Sequence, residues 1–243
     1  MAKLVQKSGY IKSGKASGYM RYIATREGVE KLAGNSSVTK GQRELIQKLL
    51  HDFPDAVELF EYEDYCKTPT LGTASAFISM ALDANLHEID PESGYMQYIA
   101  TRPRVQKRGT HGLFSSASAV DLTLAMSELE AHEGNVWTII YSLRREDAAR
   151  LEFDNADAWR TLLMENAPTL AKSMKISLNN FHWYAAFHDE GHHPHIHMMV
   201  WSDDPKEGFL TKDGIATMRS KLTNAIFRDE MQQIYERKDV AYS

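Results

Sequence analysis

Apolar and polar positions divide the chain into helix-like and strand-like stretches. Residues 136–143, 181–188 and 195–201 are rich in β-branched and aromatic side chains, which predicts three strands. Residues 4–11 predict a further strand near the start. A six-residue link containing Gly191 and Pro194 joins 181–188 to 195–201, which predicts an antiparallel hairpin. Apolar positions recur at helical spacing over 41–53, 74–86, 117–132, 145–151, 156–174 and 211–237. Pro54 ends the first of these helices, Thr73 is the expected cap of the second, and Gly134 closes the third. The pattern as a whole predicts an α/β sandwich of the α+β kind. A central antiparallel sheet carries the hairpin, and helices cover its faces. Residues 1–210 read as one domain with a helical insertion at about 41–90. Residues 211–243 read as a terminal helix without a clear cap, which suggests a longer parent protein.

The chain repeats itself once. Ser17 to Arg26 recurs as Ser93 to Arg102 with nine of ten positions matching, at an offset of 76 residues. In each copy two tyrosines stand three apart, Tyr19 and Tyr22 in the first, Tyr95 and Tyr98 in the second. That spacing puts each pair on one helix face. Ser17 and Ser93 are the expected N-caps, and Pro103 limits the second copy. The offset is too long for a solenoid repeat and fits a duplicated motif.

Composition narrows the picture. The 243 residues allow a full-sized core. The single cysteine, Cys66, excludes an internal disulfide and fits a reducing, cytoplasmic setting. No signal peptide opens the sequence and no apolar run approaches the length of a membrane span. The net charge of −5 argues weakly against nucleic acid as a partner. Its distribution argues otherwise: residues 1–48 hold ten Lys and Arg against three Glu, and Arg102, Arg104, Lys107 and Arg108 follow without an acid between them. Such segregation permits a basic face on an acidic protein; solvated helix faces account for the same clustering.

The chemistry is concentrated at 188–197, where five of the ten histidines lie. On a strand, His195 and His197 share a face. If His188 stands opposite His195 across the hairpin, all three imidazoles converge. Three histidine ligands leave coordination positions open, an arrangement more often catalytic than structural. An all-nitrogen donor set favours Mn²⁺ over the oxygen-seeking Mg²⁺, although Mg²⁺ in excess serves as well. Glu190 is placed to orient a ligand histidine or to take a proton from a nucleophile. His192 and His193 are loop positions, suited to supporting a ligand or touching substrate.

The run His188-Asp189-Glu190-Gly191-His192-His193-Pro194-His195-Ile196-His197 resembles the third motif of conjugative and mobilisation relaxases of the HUH superfamily. There a histidine is followed by an acid two residues on, then by Pro-His-hydrophobe-His. The family usually has Asp at the position of Glu190. Tyr22-Ile23-Ala24-Thr25-Arg26-Glu27-Gly28 is similar to the tyrosine motif of the MobP-like and MobL-like branch. Thr138 to Glu146, with Ser142 and Glu146, is a looser match to the second motif, since Arg144 and Arg145 stand where proline and small residues are common. The three motifs span residues 4–201.

The resemblance implies a site- and strand-specific DNA relaxase. A tyrosine would cleave one strand at an origin of transfer and stay linked to the 5′ phosphate. His188, His195 and His197 would hold the metal, Tyr22 would be the nucleophile, and Glu190 would assist its deprotonation. Tyr98, Tyr19 and Tyr95 remain alternative nucleophiles because the repeat makes the two segments equivalent. Arg21, Arg26, Arg102, Arg104, Lys107 and Arg108 are the expected phosphate contacts on single-stranded and duplex DNA. Relaxosome accessory and coupling proteins are the implied partners. Three other readings stay open: a rolling-circle replication initiator using Tyr235, a non-catalytic metal-containing DNA-binding protein, and a small-molecule metal hydrolase.

Overall fold

A computed structural model describes residues 3–10, 37–85, 92–101, 105–107, 111–117, 119–132, 134–191 and 193–228. Its centre is an antiparallel sheet of β1 (Val5–Tyr10), β2 (Leu113–Phe114), β3 (Trp137–Ser142), β4 (Phe181–His188) and β5 (His195–Ser202), in the order β1-β3-β5-β4-β2. β5 is therefore the middle strand, and all eight of its residues are buried. A strand covered on both faces needs apolar side chains at every position. That accounts for the unbroken run Met198-Met199-Val200-Trp201.

Helices cover both faces. On one face, Ile139, Tyr141, Ile196, Met198 and Val200 pack against α7 (Ala156–Ser173) and α8 (Lys212–Ile226), through Trp159, Leu163, Met218 and Leu222. On the other face two separate clusters form. One comprises α1 (Lys40–Asp52), α2 (Phe60–Lys67) and α3 (Leu71–Ala84), packed around Leu49, Leu59, Phe77 and Leu82 and reaching the sheet at Ile140. The other joins α4 (Glu92–Thr101) and α5 (Leu122–Glu130) to Ala186, Met199 and Trp201. α6 (Arg145–Arg150) follows β3 directly. The expected sandwich, with the histidine hairpin at its centre, is the fold observed.

Three local expectations change. Thr73 is not the cap of α3. Thr70 is, accepting from the amide of Thr73, whose hydroxyl in turn accepts from the Thr70 amide in a reciprocal capping box. Ser93 lies inside the first turn of α4, which begins at Glu92. The helix expected over 117–132 starts only at Leu122, where Asp121 caps the amide of Leu124 at 2.9 Å. Two elements have no counterpart in the sequence reading. β2 is two residues long, too short to leave a periodic trace. α2 is short and acid-rich, with Glu63 in its first turn, where the positive end of the helix dipole favours its charge. The first copy of the repeat and the end of the terminal helix lie outside the described residues.

Candidate metal centre

The hairpin register decides where the imidazoles meet. His188 pairs directly with His195, and His197 lies two residues along the same face of β5. The ring centroids are 5.2 Å apart for His188 and His195, 4.6 Å for His188 and His197, and 5.0 Å for His195 and His197. One ligand atom from each lies within 4.8 Å of the others, so the triad could hold a metal ion. All three side chains are buried to within 1 % of full coverage.

Main-chain carbonyls orient two of the rings. Nε2 of His188 donates to the carbonyl of Ile99 at 2.8 Å, and Nδ1 of His195 donates to the carbonyl of His193 at 3.0 Å. A carbonyl only accepts, so these bonds fix the tautomers. That leaves Nδ1 of His188 and Nε2 of His195 as the atoms that could hold an ion. Ring nitrogens held in this way are the usual support of metal-binding histidines. The donor set, its burial and its orientation fit a divalent transition metal. For these two rings the carbonyls of Ile99 and His193 supply orienting bonds.

The two arginines that follow β3 hold the site's frame. Arg145 Nε donates to the carbonyl of Gly191 at 3.1 Å, and its Nη2 bonds Asp189 at 2.6 Å and the carbonyl of Glu190. Arg144 binds Glu63 and Asp64 at 3.0 and 3.2 Å, with its guanidinium 4.6 Å from the Phe60 ring centroid. Asp64 also receives Nε2 of His193 at 2.8 Å, and His193 stacks on Phe60 at 5.2 Å. Burial would raise the Asp64 carboxyl, but the bond to His193 and the Arg144 charge outweigh it and hold the group below its ordinary value. The sequence reading missed these arginines as frame residues. Their position immediately after a strand that pairs with a histidine strand is the signal that could have found them.

Glu61 was not anticipated either. Its side chain is buried and its Oε2 has no hydrogen-bond partner among the described residues. Burial pushes its carboxyl up to about 8, against its own backbone hydrogen bond and with help from the charges of Asp64, Glu190 and Asp83. Ser142, by contrast, was singled out, and it pairs in register with His195 on the same face of the sheet.

The chain matches the family model of the MobL relaxases over residues 1–242. It belongs to the MobL relaxases. No curated protein and no solved structure gives a match. Membership makes this a DNA relaxase, and the structure puts the histidine triad of this MobL relaxase at the middle of its sheet.

The other expected site residues of the relaxase are distributed as follows. Tyr22, Arg21, Arg26, Arg102, Arg104, Arg108 and His192 lie outside the described residues. Lys107 is exposed, two residues beyond Val105, which bridges to His188. Glu190 is half-buried and follows His188 by two residues. Tyr95 and Tyr98 are on α4, the helix whose Ile99 carbonyl holds His188. Among the described residues no helix is long and apolar enough to cross a membrane.

Proposed function

We propose that this MobL relaxase nicks one DNA strand at an origin of transfer through a covalent 5′-phosphotyrosine link. The observation that carries the reading is the convergence of three buried histidines, with ligand atoms within 4.8 Å of one another, at the centre of a MobL relaxase. His188, His195 and His197 hold a divalent metal, Mn²⁺ in preference to Mg²⁺. When bound, the metal supplies polarisation of the scissile phosphate and neutralises charge developing on it.

The remaining roles belong to the chain. The Tyr22 oxygen attacks phosphorus while Glu190 takes its proton. The bond from phosphorus to the 3′ oxygen breaks, and that oxygen leaves as a 3′-hydroxyl once protonated. The reverse sequence reseals the strand. Arg21, Arg26, Arg102, Arg104, Lys107 and Arg108 bind phosphates of single-stranded and neighbouring duplex DNA. The helical segment at about 41–90 closes over the bound strand, and residues 211–243 lead from the catalytic domain. The architecture and motifs suit the HUH superfamily, a cytoplasmic role in mobilising a plasmid or integrative element, and relaxosome and coupling proteins as partners.

The test is an oligonucleotide carrying the origin sequence, incubated with protein and Mn²⁺ and run on a denaturing gel. A covalent adduct that is lost in Tyr22→Phe is expected. Hydrolysis of phosphoesters without an adduct would contradict transesterification. An adduct lost in Tyr235→Phe instead would favour a replication initiator.

A further inference from the structure

The three contacts of His193 form a continuous path from α2 to a metal ligand. Nε2 of His193 donates to Asp64 Oδ2 at 2.8 Å, its ring stacks on Phe60, and its carbonyl accepts Nδ1 of His195 at 3.0 Å. Only 5 % of the side chain is exposed. The peptide that carries this carbonyl is also constrained on its other side. Pro194 follows, which restricts His193 to extended backbone, and the Pro194 carbonyl accepts the amide of Leu143 at 3.2 Å. A ring gripped from α2 thus fixes the carbonyl that orients His195. Asp64 is itself held by Arg144, from the end of β3.

We propose that Asp64 is a positioning residue for the metal centre, coupling the docking of α2 to the orientation of His195. The proposal rests on the triad being a metal site, as argued above. Its consequence is that the helical cluster α1–α3 is part of the ligand frame as well as a cover over the sheet. Coupling of this kind is reciprocal. Docking of α2 raises metal affinity, and metal binding tightens α2. The stacking and the Asp64 bond are both made by the His193 side chain, so they reach His195 through the His193 main chain. Outer partners of metal ligands typically change affinity by about 10–100-fold when removed.

The full chain is titrated with Mn²⁺ by calorimetry, and amide exchange over residues 60–67 is followed with and without the ion. Asp64→Ala is expected to weaken Mn²⁺ binding by about tenfold or more. Glu63→Gln removes the other carboxylate on Arg144 but leaves His193 held, and is expected to bind as wild type does. Mn²⁺ is expected to slow exchange in α2 of the wild type and not of Asp64→Ala. His193→Ala should repeat the loss. His193→Gln, which keeps a donor to Asp64, should restore most of it, and this pair tests the proposal even if Asp64→Ala fails to fold. Wild-type affinity in a folded Asp64→Ala, or equal affinities in His193→Ala and His193→Gln, overturns the proposal while leaving the metal reading intact. A wild-type protein that takes up no Mn²⁺ overturns both.

Discussion

Nε2 of His188 donates to the carbonyl of Ile99 across 2.8 Å, so the second copy of the internal repeat is built into the histidine triad's support. Ile99 is fully buried, in the cluster that joins α4 to Leu113, Ala186 and Met199. Its side chain holds the helix against the sheet while its carbonyl holds the ligand. The second copy thereby has a packing role whatever its tyrosines do.

Ile99→Ala keeps the carbonyl and removes the packing. A buried truncation of this kind costs about 2–5 kcal/mol. Urea denaturation should show a loss in that range. A cost below about 1 kcal/mol would mean that α4 is not anchored through this side chain.

Metal binding should stabilise the fold. An ion that binds only the native state adds about 2.7 kcal/mol at a free concentration one hundred times its dissociation constant. Mn²⁺ should therefore raise the melting temperature of the wild type, and a chelator should reverse the rise. His188→Ala, His195→Ala and His197→Ala should each abolish the Mn²⁺-dependent shift. A shift that survives in all three would place the ion elsewhere.

Glu61 predicts a pH-dependent stability. Its folded value of about 8 lies above the ordinary 4.5. Its contribution is then fully present below about pH 4.5 and is lost as pH rises through about 8. In that window the unfolded chain releases the proton and the folded chain keeps it. The full loss is on the order of 5 kcal/mol. Glu61→Gln carries no titrating group there. It should gain stability over wild type at pH 8.5 and lose that advantage at pH 4.5, as read by denaturation at the two values. Parallel pH profiles for the two proteins would mean that Glu61 ionises normally.

Four of the five strands and the triad were legible in the sequence, the triad because the β4–β5 hairpin depends on short-range order. The period of two within β4 and β5, and a loop bounded by Gly191 and Pro194, are enough to bring His188 opposite His195. The support of the triad was not legible. Ile99 acts through a carbonyl, which every residue has, and it lies 89 positions from His188. Asp64 and His193 are 129 apart, and the helix that brings them together is too short and too acidic to stand out by its period. Arg144 and Arg145 appeared only as departures from a motif. Their partners on α2 and in the hairpin loop become evident once the end of β3 is placed between them.

The proposed phosphotyrosine at Tyr22 is the step on which the other roles depend. The most direct measurement is peptide mass spectrometry of the adduct, after nuclease trimming and proteolysis. A nucleotide mass is expected on the peptide containing Tyr22, dependent on Mn²⁺ and absent from His197→Ala. A nucleotide on the Tyr98 peptide, or an adduct that forms without the triad, would contradict it.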